Sequence, residues 1–203
     1  MSFVRVIIGS RMDVEVRKIS DHMYGLGKYL LAHGIEHVIF TGMRNPFWSS
    51  MGVLHVAQAA EILIKSAIAQ EHPLLIFTDL PKLSQNTEER LTTSQLMAKA
   101  KTVQYSKLPD LLWAATGYEI KHLDVYKEMG EQRNRIQHLA VPDDDFNDLV
   151  FRFCIQIIDP LMVHFFNEHF LDNLDFDDLY IYEDNLLSDS IEATGLKFEG
   201  KLP

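Results

Sequence analysis

Apolar residues recur at helical spacing over most of the chain. Between residues 50 and 70, Val53, Ala57, Ala60, Leu63, Ile64 and Ala67 share one face of a 3.6-residue helix, and Ser49 or Ser50 stands where an N-cap belongs. Residues 12–33 read as an earlier helix, weakened by Gly25 and Gly27 and stopped by Gly34. The run IEHVIFTGM that follows is short and apolar, and periodicity leaves strand and helical turn both open. Asn86 and Glu89 make a capping-box pattern at the start of a helix over roughly 87–101. Pro109 suits the first turn of a short helix ending at Gly117. Residues 121–139 form the next helix, closed by Pro142. Asp143 to Asp145 then supply cap and dipole charge to a long apolar helix over 145–170, which Pro160 should kink.

This pattern predicts an all-α protein. Helices with short or medium connections pack most economically as a bundle. The expected organisation is one helical domain over 1–171, with its core at about 50–170 and an N-terminal extension before it, and an acidic peripheral segment over 172–203. That last segment alternates acids with Leu, Phe, Tyr and Ile (LDFDDLYIYEDNLL), as a strap packing its apolar residues on the bundle or on a partner would. The sharper alternative is a nucleic-acid mimic that covers a basic groove.

Charge sharpens this division. The net charge is −10, and between Phe153 and Leu196 there are ten acids and neither Lys nor Arg, which leaves 19 acidic against 19 basic residues elsewhere. A neutral body with an acidic tail does not exclude nucleic acid as a partner. Cys154 is the single cysteine, so an intramolecular disulfide and a cysteine metal site are both excluded, which favours a reducing compartment. The N-terminal apolar run is too short and interrupted for a signal peptide. The most apolar stretch carries Arg152, Gln156 and Asp159, so it reads as a buried core helix rather than a membrane span. The expected location is cytoplasmic.

Several chemical patterns fail on spacing. Gly27–Lys28 lacks both the earlier glycine and the following Ser/Thr of a phosphate-binding loop. His164, Glu168 and His169 do not reproduce the zinc arrangement of two His four apart with Glu beside the first. His55 reads as an ordinary packed or surface histidine, and Cys154 as an inert core thiol. No cofactor motif and no metal ligand set emerges.

One helix holds more. On residues 121–139, with Ile136 set at 0° and about 100° per residue, Val125, Met129, Gln132 and Leu139 lie within about 60° and form the core stripe. Lys127, Glu131, Asn134 and His138 fall on the opposite side, and Arg133 on the stripe's edge. His138 follows Asn134 by one turn, close enough for the amide to orient the imidazole. Arg133 and His138 diverge by about 140° on one helix, so they converge only if this face meets its own copy across a two-fold axis. Guanidinium forks and imidazoles around such a cleft suit a phosphodiester.

The segment RNRIQH, with Arg133, Asn134 and His138 at the marked positions, resembles the signature of HEPN domains (higher eukaryotes and prokaryotes nucleotide-binding). The helix VLHVAQAAEILIKSAIAQEH also resembles that family's apolar helix with a Glu and a Lys one turn later, here Glu61 and Lys65. The resemblance covers about 50–170. It implies a homodimeric, metal-independent endoribonuclease of a defence or toxin system, with a composite site that cleaves RNA by attack of the ribose 2′-hydroxyl. His138 would transfer the proton or orient the 2′-hydroxyl, Arg133 would stabilise the pentacoordinate phosphate, and Asn134 would position His138 or the phosphate. The implied partners are RNA, a second copy, and an antitoxin or other protein. Members regulated by a nucleotidyltransferase antitoxin often carry Tyr two residues after the His; Ala140 stands there, which argues against that regulation. Two further readings remain: a catalytically silent HEPN-like module that binds a nucleotide or a protein, and a plain helical interaction protein.

Overall fold

The segment whose small residues repeat at helical spacing is deeply buried along one face. In the computed structural model, which describes residues 5–40, 45, 47–80, 82, 98–139, 145–172 and 186–202, with side chains from Lys18 onward, that segment is helix α2, Trp48–Glu71. Val53, Ala57, Ala60, Leu63, Ile64 and Ala67 are all buried, as their spacing predicts. The remaining elements are α1 (Arg5–Ile39), α3 (Leu108–Thr116), α4 (Leu123–Leu139), α5 (Asn147–Phe153), α6 (Asp159–Phe166) and α7 (Leu186–Ala193). Two short strands, β1 (Phe77–Asp79) and β2 (Lys101–Thr102), pair antiparallel. The protein is mostly helical, with this ribbon as an addition to the all-α expectation.

The chain forms two compact units. One comprises Met1–Tyr24 and Ile64–Glu119, the other Gly25–Leu63 and Ile120–Pro203, so α1 and α2 each contribute to both. Helix α7 belongs to the second unit and buries Leu187 and Ile191, while the acidic residues 173–185 lie outside the described residues.

In the first unit, Ser20 and Ser66 clasp α1 and α2 reciprocally. Ser20 Oγ donates to the Ser66 carbonyl at 3.0 Å, and Ser66 Oγ donates to the Ser20 carbonyl at 2.8 Å. Lys65, buried, donates through Nζ to Thr102 Oγ1 of β2 at 3.0 Å. Helix α3 starts with Pro109 in its first turn and ends at Gly117, whose φ of 79° lets its N–H reach the Trp113 carbonyl at 2.8 Å, as its sequence predicts. The expected helix over 87–101 falls largely outside the described residues, and its last residue, Lys101, is in β2.

In the second unit, glycine sets the geometry. The sequence expectation that Gly34 ends the first helix is wrong: α1 continues to Ile39. Gly34 is instead a contact residue, where a Cβ would lie 2.7 Å from Val56 Cγ2 of α2. A Cβ on Gly52 would in turn meet Val38 and sit 2.9 Å from the Gly34 carbonyl oxygen. The two helices therefore pack backbone against backbone. Ser49 likewise does not cap α2. It lies inside the first turn, buried, and its Oγ accepts the Phe146 backbone N–H at 3.0 Å, one residue before α5 begins.

The expected 145–170 helix is broken into α5, a π turn at Cys154–Ile158, and α6. The wide turn lets the Asp159 N–H bond back to the Cys154 carbonyl, and Pro160 then lands in the first turn of α6, where a missing N–H costs little. Phe151, Phe153, Cys154, Ile158, Leu161 and Met162 line the core. Helices Trp48–Glu71 and Asn147–Phe166 are long and apolar enough to cross a membrane by length and composition, yet 67% and 61% of their most apolar windows are buried inside the protein. They serve as core helices.

Alanine at two glycines of this pair should have opposite effects. Gly52→Ala drives a methyl into Val38 and the Gly34 carbonyl and should cost about 1–3 kcal/mol through overpacking. Gly25→Ala, with no described atom within 4 Å of its Cβ, should gain about 0.5–1 kcal/mol from helix propensity alone. Urea denaturation midpoints measure both, and shifts of the same sign would refute the close crossing.

Candidate functional sites

The buried arc of α4 is rotated from the one expected. Val125, Tyr126, Met129 and Gly130 are buried, Ile136 and Gln132 are only half-buried, and Leu139 is 73% exposed. At about 100° per residue, the axis of that arc falls about 50–60° from Ile136, which is where Arg133 projects. Arg133 is thus not at the edge of a stripe ending in Leu139. It stands on the inward face, its side chain 21% exposed, with Nη2 at 3.4 Å from Glu61 Oε2 of α2, itself 14% exposed. A charged group is tolerated there because an opposite charge meets it.

Asn134 and His138 are exposed on the outer side, as expected. Among the described residues they form no hydrogen bond with each other, so the anticipated amide–imidazole contact is not made within the chain. Arg135, also exposed, donates to Gln132 Oε1 at 3.0 Å. A second ion-pair cluster ties α4 to α5: Arg152 donates to Asp148 at 2.7 Å and lies 3.3 Å from Glu128. The hydrogen bond to Asp148, foremost, raises the Arg152 pKa further. The order of chain, α2 Glu61 to α4 Arg133 to α5 Arg152, leaves the motif helix held from two sides by charge and from within by Tyr126 and Met129.

Of the expected non-sites, His164, Glu168 and His169 do not converge. Glu168 pairs with Lys28 at 3.2 Å, His169 Nδ1 lies 3.1 Å from Asp159 Oδ2, and His164 packs edge-on against Phe165. Cys154 is fully buried, and burial foremost pushes its thiol far above the ordinary range, so it is inert as a nucleophile.

A cluster that the sequence reading missed lies at the glycine crossing. His33 and His37 are one turn apart on α1, His55 is on α2, and one nitrogen from each falls within 4.8 Å of the others. Ring centroids are 4.3 Å apart for His33–His37, 5.0 Å for His33–His55 and 5.2 Å for His37–His55. The indole of Trp48 is 5.2 Å from His37, and His33 Nδ1 is 3.5 Å from Glu36 Oε2. Burial, first, and the neighbouring His33 lower the pKa of both His37 and His55, which favours neutral imidazoles. From sequence His55 is an ordinary packed or surface histidine, whereas the structure places it against two others. The i, i+4 spacing of His33 and His37 was the available signal, but nothing local says that α2 brings a third ring.

The Glu61–Arg133 pair should be energetically real. A double-mutant cycle with Glu61→Gln and Arg133→Gln should give a coupling energy of about 0.5–3 kcal/mol by urea denaturation. Additive single changes would mean that the two charges do not sense each other. No protein family, characterised protein or solved structure matches this chain.

Proposed function

We propose that the chain is a HEPN-type, metal-independent endoribonuclease whose site is assembled from the 133–138 faces of two copies. The observation that carries this reading is the placement of Arg133. Its guanidinium is oriented by Glu61 within a half-buried ion pair, while Asn134 and His138 on the same helix remain open to solvent. A planar fork with five donors can engage more than one oxygen partner at once, a phosphate among them. Glu61 is thus a positioning residue, a role its resemblance to the family's helix did not specify.

In this reading His138 accepts the 2′-hydroxyl proton or donates one to the leaving 5′-oxygen. The 2′-oxygen bonds to phosphorus as the 5′-oxygen departs, leaving a 2′,3′-cyclic phosphate and a 5′-hydroxyl. Arg133 stabilises the added charge on the pentacoordinate phosphate, and Asn134 orients His138 or the phosphate of the opposed copy. The exposed Leu139 and half-buried Ile136 beside the motif give that copy apolar surface to cover. RNA is the substrate and no cofactor is needed. The setting that fits is a cytoplasmic defence or toxin system, with an antitoxin or another protein as regulator. A second reading, a catalytically silent module binding a nucleotide or protein, is favoured by one fact: Glu61 already engages Arg133.

Cleavage of single-stranded RNA in excess chelator decides between them. Wild type should cut; His138→Ala and Arg133→Ala should each lose roughly 10²–10⁴ in rate; Asn134→Ala should lose less; Arg133→Lys should recover only part, lacking the planar fork. The ends should be 2′,3′-cyclic phosphate and 5′-hydroxyl, and sedimentation should give a dimer. A 5′-phosphate product, a magnesium requirement, or undiminished cutting by folded His138→Ala would transfer the assignment to the silent module.

A further inference from the structure

We propose that His33, His37 and His55 form a site for one divalent transition metal, zinc by preference, clamping α1 to α2. The inference is independent of the ribonuclease reading. Three imidazoles from two helices converge, their donor nitrogens within 4.8 Å of one another. A tetrahedral zinc with Zn–N of about 2.0–2.1 Å needs ligand nitrogens about 3.3–3.4 Å apart, so binding would draw the three nitrogens closer together. The helices are already fixed at this level by the Gly34–Gly52 contact.

Two details point to a metal rather than to stacked rings alone. His55 Nδ1 is buried without a hydrogen-bond partner among the described residues, and in the tautomer protonated at Nε2 it carries an idle lone pair that a metal would engage. His33 Nδ1 faces the Glu36 carboxylate at 3.5 Å. A carboxylate beside Nδ1 favours the proton on that nitrogen and so leaves Nε2 as the donor, the kind of outer support that metal-bound histidines commonly have. An all-imidazole donor set suits zinc, copper or nickel and disfavours magnesium and calcium. Three protein ligands leave a fourth position for water, and His33 is half-exposed to the solvent that would supply it.

The test uses untagged full-length protein stripped with chelator and titrated with zinc against a chromophoric competitor. One equivalent per chain should bind and raise the melting temperature. Nickel or copper should quench the fluorescence of Trp48, which is 5.2 Å from His37, and Trp48→Phe should remove that response. His33→Ala, at a half-exposed position, should fold like the stripped wild type and lose the bound equivalent; His55→Gln should lose it as well. Glu36→Gln should keep the stoichiometry and weaken affinity roughly 10–100-fold. His122→Ala, at an exposed histidine elsewhere, should change nothing. No stoichiometric binding at micromolar zinc, or unaltered binding by folded His33→Ala, would overturn the site. Binding is read without RNA, so its failure is separate from failure of the ribonuclease reading.

Discussion

The second unit depends on how closely two helices approach. Gly34 and Gly52 remove the side chains that would otherwise hold α1 and α2 apart, and the carbonyl of one lies where a methyl on the other would need to be. Gly27 extends the contact, since a Cβ there would sit 2.8 Å from Leu63. Helical glycine costs about 1 kcal/mol against alanine. Two such residues facing each other across a crossing offset that cost by dispersion contacts that larger side chains would prevent. From this approach follow both the gathering of His33, His37 and His55 and the position from which Glu61 reaches toward α4.

The motif helix shows how charge can sit on a core-facing axis. Arg133 occupies the centre of the buried arc, a place that hydrophobic patterning assigns to Leu or Ile. A half-buried arginine keeps part of its hydration and buries its methylene stem, and Glu61 supplies the opposing charge. The pair therefore orients a guanidinium more than it stabilises the fold, because a desolvated ion pair returns little net free energy. Orientation is what the proposed phosphate contact would need.

How much of this was legible depended on the range of the interaction. Helix α3 was readable to within a residue, because Pro109 and Gly117 act on their own backbone. Helices α2 and α4 were readable from apolar period. The phase of α4 was not: Ile136 and Leu139 are as apolar as Met129, and apolarity alone does not say whether a residue meets its own chain or stays exposed. Gly34 and Ser49 misled for a related reason. Both were assigned local roles, as stop and cap, whereas their partners are Val56 and Phe146, far away in sequence. Of the candidate residues, Arg133, Asn134 and His138 were found by motif, but the partner of Arg133 and the whole histidine cluster depend on which helices cross.

Helix α2 joins these features mechanically. His55 and Glu61 are six residues apart on it, about 9 Å along the axis, and both precede the unit boundary at Leu63. An α-helix over less than two turns is stiff, so whatever fixes His55 against α1 also fixes the backbone that presents Glu61 to Arg133. A ligand bound by the three histidines would thus remove slack from the support of the guanidinium without touching it. Overpacking at Gly52 would act on the same helix that carries the carboxylate. The glycine crossing and the carboxylate that meets the arginine thus lie on one stiff stretch of α2, where the sequence looks least chemical.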